Sequence, residues 1–82
     1  MFMPMPPRRP ASAALAAAIR DLREARATSQ EEAARRAEIT TGTFGLIERG
    51  KTNPTWTTVE QIAAALDTTV SELAAIAEGI QR

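Results

Sequence analysis

The stretch at residues 29–51, SQEEAARRAEITTGTFGLIERGK, leaves this chain little freedom in how it folds, because it carries starts and stops for two short helices in close succession. Ser29 followed by Glu32 has the form of a capping box: the hydroxyl accepts from a first-turn backbone N–H, and the carboxylate reaches back to the cap's own N–H. A helix is therefore predicted from Gln30, with Ala33, Ala34 and Ala37 along one face at period 3.6. Glu38 and Ile39 lead from it to a Thr-Thr pair. Thr40 can cap a second helix, which carries Phe44 and Ile47 three apart on one face. Gly50 suits the left-handed turn after a helix and ends it. The spacing predicts two short helices joined by a sharp turn.

Composition narrows what can surround this unit. Cysteine and histidine are both absent, which excludes disulfides and the usual zinc ligand sets and leaves no thiol or imidazole for catalysis. There is no glycine-rich phosphate loop, and the carboxylates scatter over helix surfaces, so an enzyme is not expected and no cofactor is needed. At 82 residues the chain makes one small domain with a modest core, whose stability contacts between copies can supplement. Aromatic residues are only 4% against 44% hydrophobic, much of it alanine, which favours helices over strands and predicts an all-α fold. No apolar run approaches the roughly 20 residues that span a bilayer. MFMPMPPRRP is too short and too rich in proline for a signal peptide, so a cytoplasmic protein without a membrane is expected.

In chain order, residues 1–10 hold four prolines and two arginines without periodicity and read as a flexible arm; residues 11–82 form the domain. Over residues 11–26, Leu15, Ala18, Ile19 and Leu22 make an apolar stripe, with Ser12 as a cap, giving a first helix beside whose stripe Arg23 sits. Beyond Asn53-Pro54, Thr55 can cap a fourth helix with Val59, Ile62, Ala63 and Leu66 at helical spacing, and Trp56 is expected to cover the edge of the core. Thr69 with Glu72 has the form of a second capping box. Val70, Leu73, Ile76 and Ala77 then line the inner face of a fifth helix, expected to end at Gly79.

Residues 15–73 resemble the helix-turn-helix domain of the Cro and lambda-repressor (XRE-like) type. The pieces that carry the likeness are SQEE at 29–32, IERGK at 47–51, NP at 53–54 and IAAAL at 62–66, in this order and spacing. The resemblance implies a five-helix lambda-repressor-like fold with the helix-turn-helix at helices 2 and 3. It also implies an internal pair between Arg23 and Glu48 that ties helix 1 to the end of helix 3 and fixes packing register. Three positions depart from the pattern: Glu38 stands where the family usually has Gly in the turn, Ala33 where it has Leu, and Asp67 where Gly often ends helix 4.

The function implied is sequence-specific binding of double-stranded DNA as a transcriptional regulator, a dimeric repressor or controller on a pseudo-palindrome. In such a fold helix 3 enters the major groove by its N-terminal part while helix 2 crosses the backbone. Gln30 then faces a phosphate, and Lys51, Thr52 and Asn53 grip a second phosphate run, with Ser29, Thr40 and Arg49 also counted among the DNA-binding residues. Base edges fall to Thr41, Gly42, Thr43 and Leu46. None of these four offers bidentate geometry, so methyl contacts, single hydroxyl bonds and DNA shape would carry recognition. Gly42 and Gly45 each weaken a helix by about 1 kcal/mol relative to alanine, which a close backbone approach to the groove or to helix 2 would offset.

The charge balance fits this reading by region. Residues 1–53 hold nine Arg or Lys against six Asp or Glu, and residues 54–82 one against four, although the whole is neutral. Arg8 and Arg9 either reach phosphate or a minor groove, or belong to a plain leader. Ile76, Ala77 and Ile80 extend the apolar stripe of helix 5 and form the expected homodimer surface, unless Ile76 and Ile80 fold back on helix 1. No small-molecule ligand is expected. The rival reading is a protein-binding module, antitoxin-like, that keeps the fold with weak or no DNA binding; the exposed Leu46 and zero net charge favour it.

Overall fold

The structure is a computed structural model and describes residues 13–81. Five helices follow one another: α1 Ala13–Ala25, α2 Gln30–Ala37, α3 Thr41–Glu48, α4 Trp56–Ala65 and α5 Val70–Gln81, with no strand among the described residues. The expected cap at Ser12 and the arm at residues 1–10 lie outside the described residues, as does Arg82.

Side-chain oxygens start four of the helices. Ser29, Thr40, Thr55 and Thr69 accept from the backbone N–H of Glu32, Thr43, Thr58 and Glu72 at 3.0, 3.0, 3.1 and 3.1 Å. Each satisfies one N–H that the first turn would otherwise leave unpaired. The reciprocal half of the two capping boxes does not form. Glu32's carboxylate turns instead to Arg35 and Arg36, and Glu72's accepts from the Thr68 hydroxyl at 2.8 Å. In both cases a nearby stronger or better-placed donor outcompetes the cap's own N–H.

The helix ends share one device. After α1, α2, α3 and α4 a residue with positive φ reverses the chain: Ala27 (52°), Glu38 (62°), Gly50 (67°) and Asp67 (56°). At each, two backbone bonds close the last turn, such as Glu38 N–H to Arg35 C=O at 3.1 Å and Ile39 N–H to Ala34 C=O at 3.0 Å. Only one of the four is glycine, so three turns carry a side chain in a region that L-residues enter at a cost of roughly 1–2 kcal/mol. Glu38 thus builds the turn between α2 and α3 in the geometry that glycine usually supplies.

The largest fully buried side chains, Ile19, Phe44, Ile62, Leu66 and Leu73, come from α1, α3, the end of α4 and α5. Burying each contributes roughly 1.5–3 kcal/mol. Helix α2 contributes Ala33, Ala34 and Ala37, all at or below 1% exposure. Small side chains let its backbone lie close along α4, its main partner, which accounts for Ala33 in place of a larger residue. Helix α5 packs along α1, and α3 rests on α2 and α1.

Two expectations need correction. Trp56, the first residue of α4, is 66% exposed and lines an apolar groove beside Val59 and Leu73 instead of closing over them. Gly79 does not end α5, which runs on to Gln81. Along α5, Ile76 and Ala77 are half-buried against the core and Ile80 is exposed.

Candidate nucleic-acid interface

Helix α3 has two sides of opposite character. It buries Phe44, Gly45, Ile47 and Glu48, while Thr41, Gly42, Thr43, Leu46 and the following Arg49 are exposed. Glu48 is the unusual member of the inner side, a carboxylate only 3% exposed. Burial of a charge is unfavourable unless partners surround it. Arg23 of α1 supplies a fork, Nε to Oε2 at 2.6 Å and Nη2 to Oε1 at 3.2 Å, while Gln30 of α2 donates Nε2 to Oε1 at 2.8 Å. Arg23 also donates Nη1 to the Thr28 carbonyl at 2.9 Å, in the loop that precedes α2. The hydrogen bonds from Arg23 to Glu48 hold the guanidinium above the usual arginine range, against the opposing effect of burial. One carboxylate therefore joins α1, α2 and α3 behind the helix that faces outward.

Gln30 is half-buried and spends one amide hydrogen on Glu48, so the other is what remains for a phosphate. Ser29 is exposed but its hydroxyl oxygen already caps α2. The Thr40 hydroxyl accepts from the Thr43 N–H and donates to the Thr43 hydroxyl at 2.9 Å, which leaves the Thr43 hydrogen as the outward donor of this pair. Lys51, Thr52 and Asn53 are exposed in the loop between α3 and α4. Lys51 is fixed there by its own N–H, which bonds the Leu46 carbonyl at 2.9 Å as part of the turn at Gly50.

The two glycines of α3 differ. A Cβ added at Gly42 would meet nothing within 4 Å, so no contact inside the described structure requires glycine there. A Cβ at Gly45 would stand 2.9 Å from Arg49 Nη1. The expectation that Gly45 admits helix 2 is thus replaced by another: the atoms over it belong to the Arg49 side chain. Sequence reasoning missed this contact although its signal is local, a glycine four residues before an arginine. It also missed Gln30 on Glu48, and Arg26, whose Nε donates to the Leu66 carbonyl at 2.9 Å and so caps the end of α4 from the end of α1.

Comparison with known proteins places these elements in a family. Residues 14–76 match a family described as a helix-turn-helix domain. The restriction-modification controller protein C.AhdI from Aeromonas hydrophila is 31% identical, with a TM-score of 0.73 over 74% of this chain and 92% of that one. An HTH_3 family transcriptional regulator from Vibrio cholerae is 29% identical, with a TM-score of 0.74 over 79% of this chain and 36% of its own. The clp gene regulator ClgR from Corynebacterium glutamicum superposes with a TM-score of 0.82 over 90% of this chain and 79% of that one; at 24% identity this is a likeness of fold. No curated protein matches the sequence significantly.

Proposed function

Since the chain belongs to the helix-turn-helix domain family, in its XRE-like form, we propose that it binds double-stranded DNA and regulates transcription. The observation that carries this reading is the division of α3: its inner side is clamped through Glu48 while its outer side presents Thr41, Gly42, Thr43 and Leu46 with nothing packed over Gly42. A helix held this way is suited to the major groove, its N-terminal residues toward base edges. Gln30, Lys51, Thr52 and Asn53 at the two flanks of α3 would hold the phosphates, with Ser29 and Thr40 marking the two helix N-termini that face the backbone. Binding rather than catalysis is the activity, and a DNA ligand would put its work in the cytoplasm.

The protein acts, in this proposal, as a homodimer that pairs two α3 helices about 34 Å apart on a pseudo-palindrome, as a repressor or as a controller. Exposed Ile80, with the half-buried Ile76 and Ala77 behind it, is the apolar strip of α5 that a second copy would cover. A second reading, a protein-binding module with weak DNA affinity, draws on the exposed Leu46 and Trp56, 42% and 66% accessible. A titration of the protein against random duplex at several salt concentrations separates them. A DNA binder gives a negative log–log slope that Lys51→Ala makes shallower by about one, and a flat line would end the first reading.

A further inference from the structure

Of the outward residues of α3, none with a short side chain can make the paired hydrogen bonds that distinguish one base from the other three. Among the described residues, Arg49 brings a planar, multiply donating guanidinium to that surface. Its side chain starts one residue past the end of α3, on the side where phosphate contacts would be expected, yet its tip does not stay there. An ideal Cβ on Gly45 would lie 2.9, 3.6 and 3.7 Å from Nη1, Cζ and Nη2 of Arg49, so the guanidinium rests one full turn back along α3, against Gly45. Long side chains on a helix lean in this direction, over the residue four positions earlier. Position 45 is beside Leu46 and one turn from Thr41, so the tip is carried back along α3 toward its N-terminal part, over a backbone position that is itself buried. Arg49 is exposed, and its guanidinium has no hydrogen-bond or ion-pair partner among the described residues.

We infer that Arg49, seated on Gly45, is the base-reading residue of α3 and takes a guanine edge. This inference rests on the DNA-binding reading. The guanidinium fork matches the O6 and N7 acceptors of guanine, which an ammonium does not. Glycine at 45 is then explained. Any side chain there would push the guanidinium off the helix and out of register, and the helix keeps a residue that costs it stability so that the seat stays open.

The experiment is in vitro selection from a random duplex pool with the full chain, followed by titration of the selected duplex against a version with that guanine replaced. Wild type is expected to select one guanine per half-site and to prefer it about 5- to 150-fold. Arg49→Ala, Arg49→Lys and Gly45→Ala are each expected to lose most of that preference. Gly45→Ala folds, since only the flexible end of Arg49 stands in its way, and its melting temperature is expected to rise by about 4 °C. If Arg49→Ala lowers affinity equally for both duplexes, the residue is a phosphate contact and the inference is overturned. If Gly45→Ala retains the full preference, the seat is overturned. A wild-type chain with no salt-dependent binding to any duplex would instead bring down the DNA-binding reading itself.

Discussion

Behind α3 lies a carboxylate held by Arg23 and Gln30 at 2.6 and 2.8 Å; on the inner side of α5, among the described residues, lie Leu73, fully buried, and the half-buried Val70, Ile76 and Ala77. The two helices are similar in being surface elements with one exposed side, but they are held by different forces. Apolar burial is proportional to area and indifferent to direction, so a helix fixed by it alone can turn or slide by small amounts at little cost. A hydrogen-bonded ion pair has preferred distances and angles, so it fixes rotation about the helix axis even where its net contribution to stability is small. The region proposed to meet a base edge has the directional support, and the region proposed to meet a second copy has the adaptable one. Beside α5 there is also an apolar groove of about 240 Å³ lined by Leu15, Trp56, Val59, Val70, Leu73 and Ala74.

The largest effect is expected from Glu48→Ala, which leaves Arg23 largely buried without its counter-charge and Gln30 without an acceptor. Removing one partner of a buried pair costs about 3–5 kcal/mol, readable by urea denaturation. The same principle sharpens the contrast. Arg23→Met combined with Glu48→Leu should return to within roughly 1 kcal/mol of wild type while discrimination between selected and random duplex stays impaired. Equal discrimination in that double variant would mean that apolar packing orients α3 as well as the ion pair does.

Leu73→Ala comes next, at about 2–5 kcal/mol by loss of burial and the cavity left behind. It should lower stability and leave the rank order of DNA sequences unchanged, since α5 lends α3 no polar contact; a reordered set of preferences would erase the distinction between the two regions. Smaller and opposite in sign, Glu38→Gly and Asp67→Gly should each raise stability by roughly 0.5–1 kcal/mol, because glycine occupies the left-handed region without strain. Thermal unfolding of the two single variants checks this.

The smallest effect is one of pH. The hydrogen bonds from Arg35 and then from Arg36 hold the Glu32 carboxyl below its ordinary value of 4.5. Its folded pKa lies below its unfolded one, so its contribution is present above the unfolded value and is lost as pH falls through the folded one. Wild type should thus lose slightly more stability than Glu32→Gln between about pH 5 and about pH 3, a small difference because the group lies at the surface, where solvent screens the pair. Arg23 runs the other way: its raised pKa would matter only far into alkali, so the clamp behind α3 stays ionised on the arginine side throughout this titration.

The five helices and most of their boundaries were legible in the chain because their signals are local. A hydroxyl at Ser29, Thr40, Thr55 or Thr69 finds its N–H three residues away, and apolar spacing at Phe44 and Ile47 or Val59 and Ile62 marks an inner face before any partner is known. The pair of Arg23 with Glu48 entered only through resemblance, since nothing local joins positions 25 residues apart. Gly79 misled because a glycine near the end of an apolar pattern looks like a stop, whereas the backbone of α5 tolerates it and continues.

What this sequence determined by itself is the set of elements and their inner faces, through caps, turn residues and period, all of which act within a few positions along the chain. What only the tertiary structure decided is how side chains that cross between elements are shared. Glu48 accepts from Gln30 as well as Arg23, Arg26 caps the far end of α4, Trp56 stands in solvent, and Ile76 turns half into the core. These depend on the angles at which α1, α2, α4 and α5 meet. Those angles follow from the close packing of the alanines of α2 and from the summed burial of residues distant in sequence, which no local pattern encodes.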